Sequence, residues 1–279
     1  MLVRAIVCLL RLLVWFAALS TPCFRVARAE EAPVGILVLK EHGVSGAAYA
    51  QPYVDKFMGI TAQLNKWPSA KGEYLTTRAS AEAFIQENSP HYGILSLAAF
   101  LALREKYHLR VIGQVEVPLA GGQQYYVISK SVPDLAGCKG KTLATDHADD
   151  PRFIERVVAG GQFTLHDFTL VQTQRPLQTI KKVIGDEAPC GLVDDAQLAE
   201  LPHIEGVDGV HAIWKSPALP PMVVVAFANA PANERDAFQA SLEKLCDDDG
   251  ESICAEVGMK ALRAASDKDY AAVVAAYGR

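Results

Sequence analysis

Six consecutive residues, Thr145-Asp146-His147-Ala148-Asp149-Asp150, gather a hydroxyl, an imidazole and three carboxylates on one short turn. Such a turn can hold a ligand amine and repels an oxyanion, most strongly where water is excluded. Two arginines, Arg78 and Arg175, each stand between a strand-like and a helix-like run, where a guanidinium can grip a carboxylate in two places. Motifs that carry covalent or metal chemistry are missing: there is no GxSxG, HExxH, GxxxxGK[ST] or paired CxxC. The histidines, His42 and His147 among them, show no metal-ligand spacing along the chain, so the expectation is no catalysis, no cofactor and no metal.

The 279 residues are half apolar with a net charge of -5 and scattered positive residues, which excludes the basic stripe of a nucleic-acid binder. Arg4 and Arg11 flank or interrupt an apolar run over residues 2–19, and Ala27-Arg28-Ala29 offers small residues to a signal peptidase. We expect a signal peptide over residues 1–29 and a mature protein in the periplasm. Cys23 follows Ser20-Thr21-Pro22, which is no lipobox. Four cysteines then remain, Cys138, Cys190, Cys246 and Cys254, and four can pair in three ways. Cys246 and Cys254 close a short loop, and Cys138 and Cys190 each precede a strand-like run, so the expected pairs are 246 with 254 and 138 with 190.

The elements that must position these groups alternate. Strand-like runs at residues 34–40, 72–77, 92–97 and 109–117 are joined by helical patterns at 47–67, 80–87 and 98–107. Ser80 is the expected cap of the second helix, and Pro52 fits best in a first turn. A second set holds strands at 123–130, 141–146, 168–173 and 191–194 with helices at 152–159 and 176–184. Gly185 stands where a helix end takes a left-handed residue. Strands at 210–215 and 222–228 precede a helix-rich tail over 232–277, expected to pack on the first set. Strand–helix alternation with short joins means mostly parallel sheets with helices on their faces.

This order resembles the type II periplasmic solute-binding proteins, in particular the phosphate, phosphite and phosphonate group of ABC transporters. The likeness is carried by Val34-Gly35-Ile36-Leu37, Tyr92-Gly93-Ile94-Leu95-Ser96, Tyr125-Tyr126-Val127-Ile128, the stretch from Ser131 through "DLAGCKGKTLA" to Ala144, and Gly191-Leu192-Val193-Asp194. It implies an α/β fold of two lobes joined by two hinge strands. Lobe one takes residues 30–117, lobe two 118–208, and residues 209–279 return to lobe one. It also implies a monomer that captures a small ligand in the interlobe cleft for an ABC permease in the inner membrane. A sensory or accessory module presenting to a membrane receptor is the alternative, and an enzyme the weakest one. Where phosphonate binders carry a Ser/Thr- and Gly-rich turn for the anion at a helix N-terminus, this chain carries the acidic turn. A zwitterionic or polar organic solute therefore fits better than a bare oxyanion.

In such folds the cleft lies at the C-terminal ends of the parallel strands. The expected ligand contacts are His42, Thr77, Arg78, Ser96 and Leu97 in lobe one, and Thr145, Asp146, His147, Arg175 and Asp194 in lobe two, with Tyr125 near the crossover. His42 and His147 read more simply as loop histidines, and Asp149 and Asp150 as caps of the following helix. Tyr125 and Tyr126 point to opposite faces of a strand, so at most one meets the cleft.

Overall fold

The computed structural model describes residues 32–42, 46–117 and 122–279. The signal peptide expected over residues 1–29 lies outside the described residues, as do Cys23 and part of the first crossover. Among the described residues no helix is long and apolar enough to cross a membrane.

The first sheet begins with β1 (Val34–Leu39), α1 (Ala47–Asn65), β2 (Ala70–Leu75), α2 (Arg78–Asn88), β3 (Tyr92–Leu95), α3 (Leu97–Leu103) and β4 (Arg110–Glu116). The second is built from β5 (Tyr125–Ser129), the one-turn α4 (Leu135–Cys138), β6 (Thr142–Thr145), β7 (Thr169–Gln172), α5 (Pro176–Ile184), β8 (Cys190–Asp194), α6 (Asp195–Glu200) and β9 (His211–Lys215). Between β6 and β7 the segment Phe153–Val158 winds as a π-helix rather than the α-helix that its apolar spacing predicts. The chain then returns to the first sheet with β10 (Val223–Ala226), α7 (Ala232–Ser241), α8 (Asp249–Glu256), β11 (Ala261–Ala264) and α9 (Ala271–Gly278).

The six-stranded sheet runs β11-β4-β10-β3-β1-β2 and the five-stranded sheet runs β7-β6-β8-β5-β9. β1 pairs in parallel with β2 and β3, and β6 with β7 and β8, so their C-terminal ends align within each sheet. Continuous apolar sequence explains the central strands: all of β3 and β10 is buried, as strands covered on both faces require. Helix α5 approaches the second sheet so closely that a Cβ at Gly191 would stand 2.8 Å from Val183. Both expected disulfides are formed, Cys138 with Cys190 and Cys246 with Cys254.

Several sequence expectations need correction. The return to the first lobe does not begin at residue 209, because β9 pairs antiparallel with β5 and so completes the second sheet; the chain leaves it between Lys215 and Val223. The tail is not purely helical: β11 adds an edge strand beside β4. Its helices α7 and α8 pack on α1, but α9 packs on the π-helix beyond β6. There the Arg156 guanidinium donates to the Tyr277 carbonyl. Thr77, not Ser80, caps α2, its side chain accepting from the Ser80 N–H. Pro52 lies inside α1, past the first turn. At the end of α5, Gly185 has φ -81° and the left-handed residue is Asp186, φ 58°.

Candidate functional site

Residues just past the parallel strands of both sheets meet. Lys40, Glu41 and His42 follow β1, Thr76 and Thr77 follow β2, and Ser96 follows β3; Asp146 and His147 follow β6, and Thr173 follows β7. Tyr125 joins them because β5 runs antiparallel to β8, which sets its first residue opposite Asp194, the last of β8. Two spaces adjoin this seam. A cavity of about 1350 Å³ has Glu41, His42, Thr77 and Arg78 on one side and Asp146, Asp149, Arg175 and Glu200 on the other. A much smaller one, about 30 Å³, is bounded by Ser96, Leu97, Tyr125, His147 and Asp194, with Glu41 and His42 shared. It has room for about one water or ion and none for an organic solute.

Arg78 does hold a carboxylate in two places, and that carboxylate belongs to the protein. Its Nε donates to Glu41 Oε1 at 2.9 Å and Nη2 to Glu41 Oε2 at 3.0 Å, while Nη1 reaches Asp150 Oδ2 at 2.9 Å. Tyr277 of α9 donates its hydroxyl to the same Asp150 oxygen. Partial burial opposes the charge on Arg78, and the bonds and charges of Glu41 and Asp150 outweigh it, raising the pKa further. Asp150 also caps the π-helix by accepting from the Phe153 N–H, as the sequence implied. Asp149 does not cap; it faces His42, with His42 Nε2 and Asp149 Oδ1 3.3 Å apart.

His42 holds φ 58°, a left-handed conformation that few side-chain-bearing residues adopt. Its imidazole lies edge-on to that of His147, centroids 4.5 Å apart, and Tyr125 also packs edge-on against His147. Both histidines also approach Asp146, His42 Nδ1 at 3.8 Å from Oδ2 and His147 Nε2 at 3.8 Å from Oδ1. Ligand-capable atoms of His42, Asp146 and His147 all lie within 4.8 Å of one another, a convergence invisible along the chain because the lobes supply them separately.

Gln197 organises the floor. Asp194 and Gln197 form a reciprocal capping box at the start of α6, and the Gln197 amide nitrogen also reaches both Asp146 oxygens, at 3.2 and 3.1 Å, and His147 Nε2 at 3.2 Å. The spacing Asp194-x-x-Gln197 is a capping-box signature that the sequence does display. Thr179 donates a further bond to Asp146.

Burial sets the protonation pattern. It raises Asp194 to about 6, against the opposing bond from the Gln197 N–H. Burial likewise pushes the His147 pKa below its ordinary value despite Asp146. For His42, burial opposes the charge, but the hydrogen bond to Asp149 and the charges of Asp149, Asp146 and Glu41 raise the pKa. Lys40 is lowered by burial, with Asp194 opposing. Tyr125 is raised well above the usual phenol range by burial, with the Asp194 charge adding to it.

The remaining candidates divide. Ser96 donates to Glu41 at 3.4 Å and Leu97 is buried against the smaller cavity. Thr145 is buried, donates to the Leu192 carbonyl and accepts from the His147 N–H, which leaves no proton for an anion. Tyr126 points away from the cleft, donating to Gln124.

A family model described as ABC transporter, phosphonate, periplasmic substrate-binding protein matches residues 71–270. No curated protein sequence matches the chain. Among solved structures it is similar to a binding protein component of an ABC phosphonate transporter from Pseudomonas aeruginosa, at 14% identity, with 87% of this chain and 85% of that chain covered and a TM-score of 0.65. A Xanthomonas citri protein bound to ATP matches at 11% identity over 89% and 98%, TM-score 0.69. PhnD1 from Prochlorococcus marinus in complex with methylphosphonate matches at 9% over 86% and 95%, TM-score 0.63. Two sheets meeting at a shared seam, with a family match over most of the sequence, lead to one conclusion: the chain belongs to the periplasmic substrate-binding proteins of the phosphonate ABC-transporter family.

Proposed function

We propose that the protein captures a small, positively charged polar solute between its lobes and, as a monomer, delivers it to an ABC permease. The observation that carries this reading is the state of Arg78. Three of its N–H donors bond two protein carboxylates, Glu41 and Asp150, so this guanidinium is neutralised before any ligand arrives. Around the larger cavity stand five carboxylates, Glu41, Asp146, Asp149, Glu200 and Glu205, against three lysines and arginines, Arg78, Arg175 and Lys181. A phosphonate placed beside Asp146 and Asp149 meets like charge at short range, whereas a protonated amine or a metal-bearing solute meets its complement. The preference for a zwitterion suggested by the sequence is thereby sharpened toward the cationic end.

Native mass spectrometry of freshly purified protein, followed by denaturing extraction, tests the reading, since a tight binder retains its solute. The expected adduct carries a protonatable nitrogen or a metal. Recovery of a phosphonate or phosphate ester as the retained species would refute it.

A further inference from the structure

His42, Asp146 and His147 converge without bonding to one another. Both histidine–carboxylate separations are 3.8 Å, beyond hydrogen-bond length, and the donor atoms of all three fit within 4.8 Å. Ligands held tetrahedrally at about 2.0–2.2 Å from an ion stand roughly 3.3 Å apart. The set closes on one once the Gln197 amide, which bonds both Asp146 oxygens and His147 Nε2, gives way.

Hydrogen bonding fixes which nitrogen of each imidazole carries its lone pair. The Gln197 carbonyl oxygen accepts from the Asp194 N–H, so its amide NH2 donates to His147 Nε2, the acceptor nitrogen of that ring, and an ion would take over the lone pair from this bond. At His42 Nε2 faces Asp149 Oδ1 at 3.3 Å, which leaves Nδ1 directed at Asp146. A carboxylate that orients a ligating imidazole from behind is the usual outer support of a metal site. Three acceptors thus gather around one point with two donors, from Thr179 and Gln197, both on the Asp146 and His147 flank.

We propose that His42, Asp146 and His147 form a binding site for a divalent transition-metal ion of the zinc class. Two imidazoles and one carboxylate favour Zn2+, Co2+ or Ni2+ over Mg2+ or Ca2+, which take oxygen ligands. His42 and Asp146 also line the 1350 Å³ cavity, so a coordination position opens toward space large enough for an organic chelator or water. One histidine comes from the loop after β1 and the other two ligands from the loop after β6, so the ion ties the lobes together. This assignment rests on the reading of the cleft as a cation site and names the cation.

The test is calorimetric titration of the protein purified from the periplasm, stripped with EDTA and dialysed, with ZnCl2. One ion per chain is expected. His42→Gln and Asp146→Asn are each expected to weaken binding by about 100-fold or more, and Asp149→Asn, which loses the outer support, by roughly 10–100-fold. His166→Gln, on an exposed turn far along the chain, leaves it unchanged. Should Asp146→Asn fail to fold by circular dichroism, His42→Gln at its partly exposed position decides alone. No Zn2+ binding, or binding indifferent to His42→Gln, overturns the site. If ammonium-bearing solutes raise the melting temperature in EDTA while Zn2+ does not bind, the metal assignment falls and the cation reading stands. Stabilisation by methylphosphonate alone, with neither cation class binding, removes both.

Discussion

Asp194 shows how a single residue records the electrostatics of the cleft. Buried beside Asp146, it titrates near pH 6, whereas an unfolded chain releases the same proton near about 3.9. The folded state therefore binds that proton more tightly, and stability falls as pH rises from about 4 to 6, by about 2–3 kcal/mol from this group. Asp194→Asn keeps the oxygen that accepts from the Gln197 N–H while removing the titration. Urea denaturation in EDTA is expected to show this loss in the parent and to lack it in Asp194→Asn; equal slopes in both would contradict the account. At this scale the sequence was half legible. Arg78, Asp146, His147 and Tyr125 could be placed from strand ends alone, yet the partner of Arg78 could not. Glu41 and Asp150 reach it from two different loops, and nothing local says that a guanidinium is already spoken for.

Elements were easier to read than side-chain partners because their signals are local. The apolar runs of β1, β3 and β8 and the three- and four-residue spacing of α1 and α5 are set within each segment. β11 was missed because Ala261-Leu262-Arg263-Ala264 has little strand character of its own and is held by pairing with β4. The π-helix is likewise unmarked in its own sequence, and it packs against α9. The disulfides were legible from strand order. They also differ in reach: Cys138 and Cys190 are 52 residues apart, Cys246 and Cys254 only 8. Chain-entropy reasoning then gives about 4 kcal/mol for the first and about 2.5 for the second. In urea titrations the double substitution Cys138→Ser/Cys190→Ser is expected to cost more than Cys246→Ser/Cys254→Ser. The reverse order would show that strain or unfolded-state structure governs instead.

At the scale of the whole molecule, the chain passes between the sheets twice, after β4 and after β9, which is the connectivity that lets two lobes close on a ligand. Arg78 with Asp150, and Tyr277 with the same carboxylate, already join the lobes across the seam. On the proposed reading, a cationic solute completes this closure beside Asp146 and Asp149 in the larger cavity. The two-lobed plan was legible in the order of segments, whereas the second crossing was misplaced because β9 reads the same whichever sheet takes it. The most direct measurement is a thermal-shift panel on EDTA-treated protein. It sets phosphate, methylphosphonate and an alkylsulfonate against protonated amines, betaines and, after EDTA is dialysed away, Zn2+. The account predicts that the oxyanions leave the melting temperature unchanged and at least one cationic class raises it. A rise with methylphosphonate and none with any cation would contradict it.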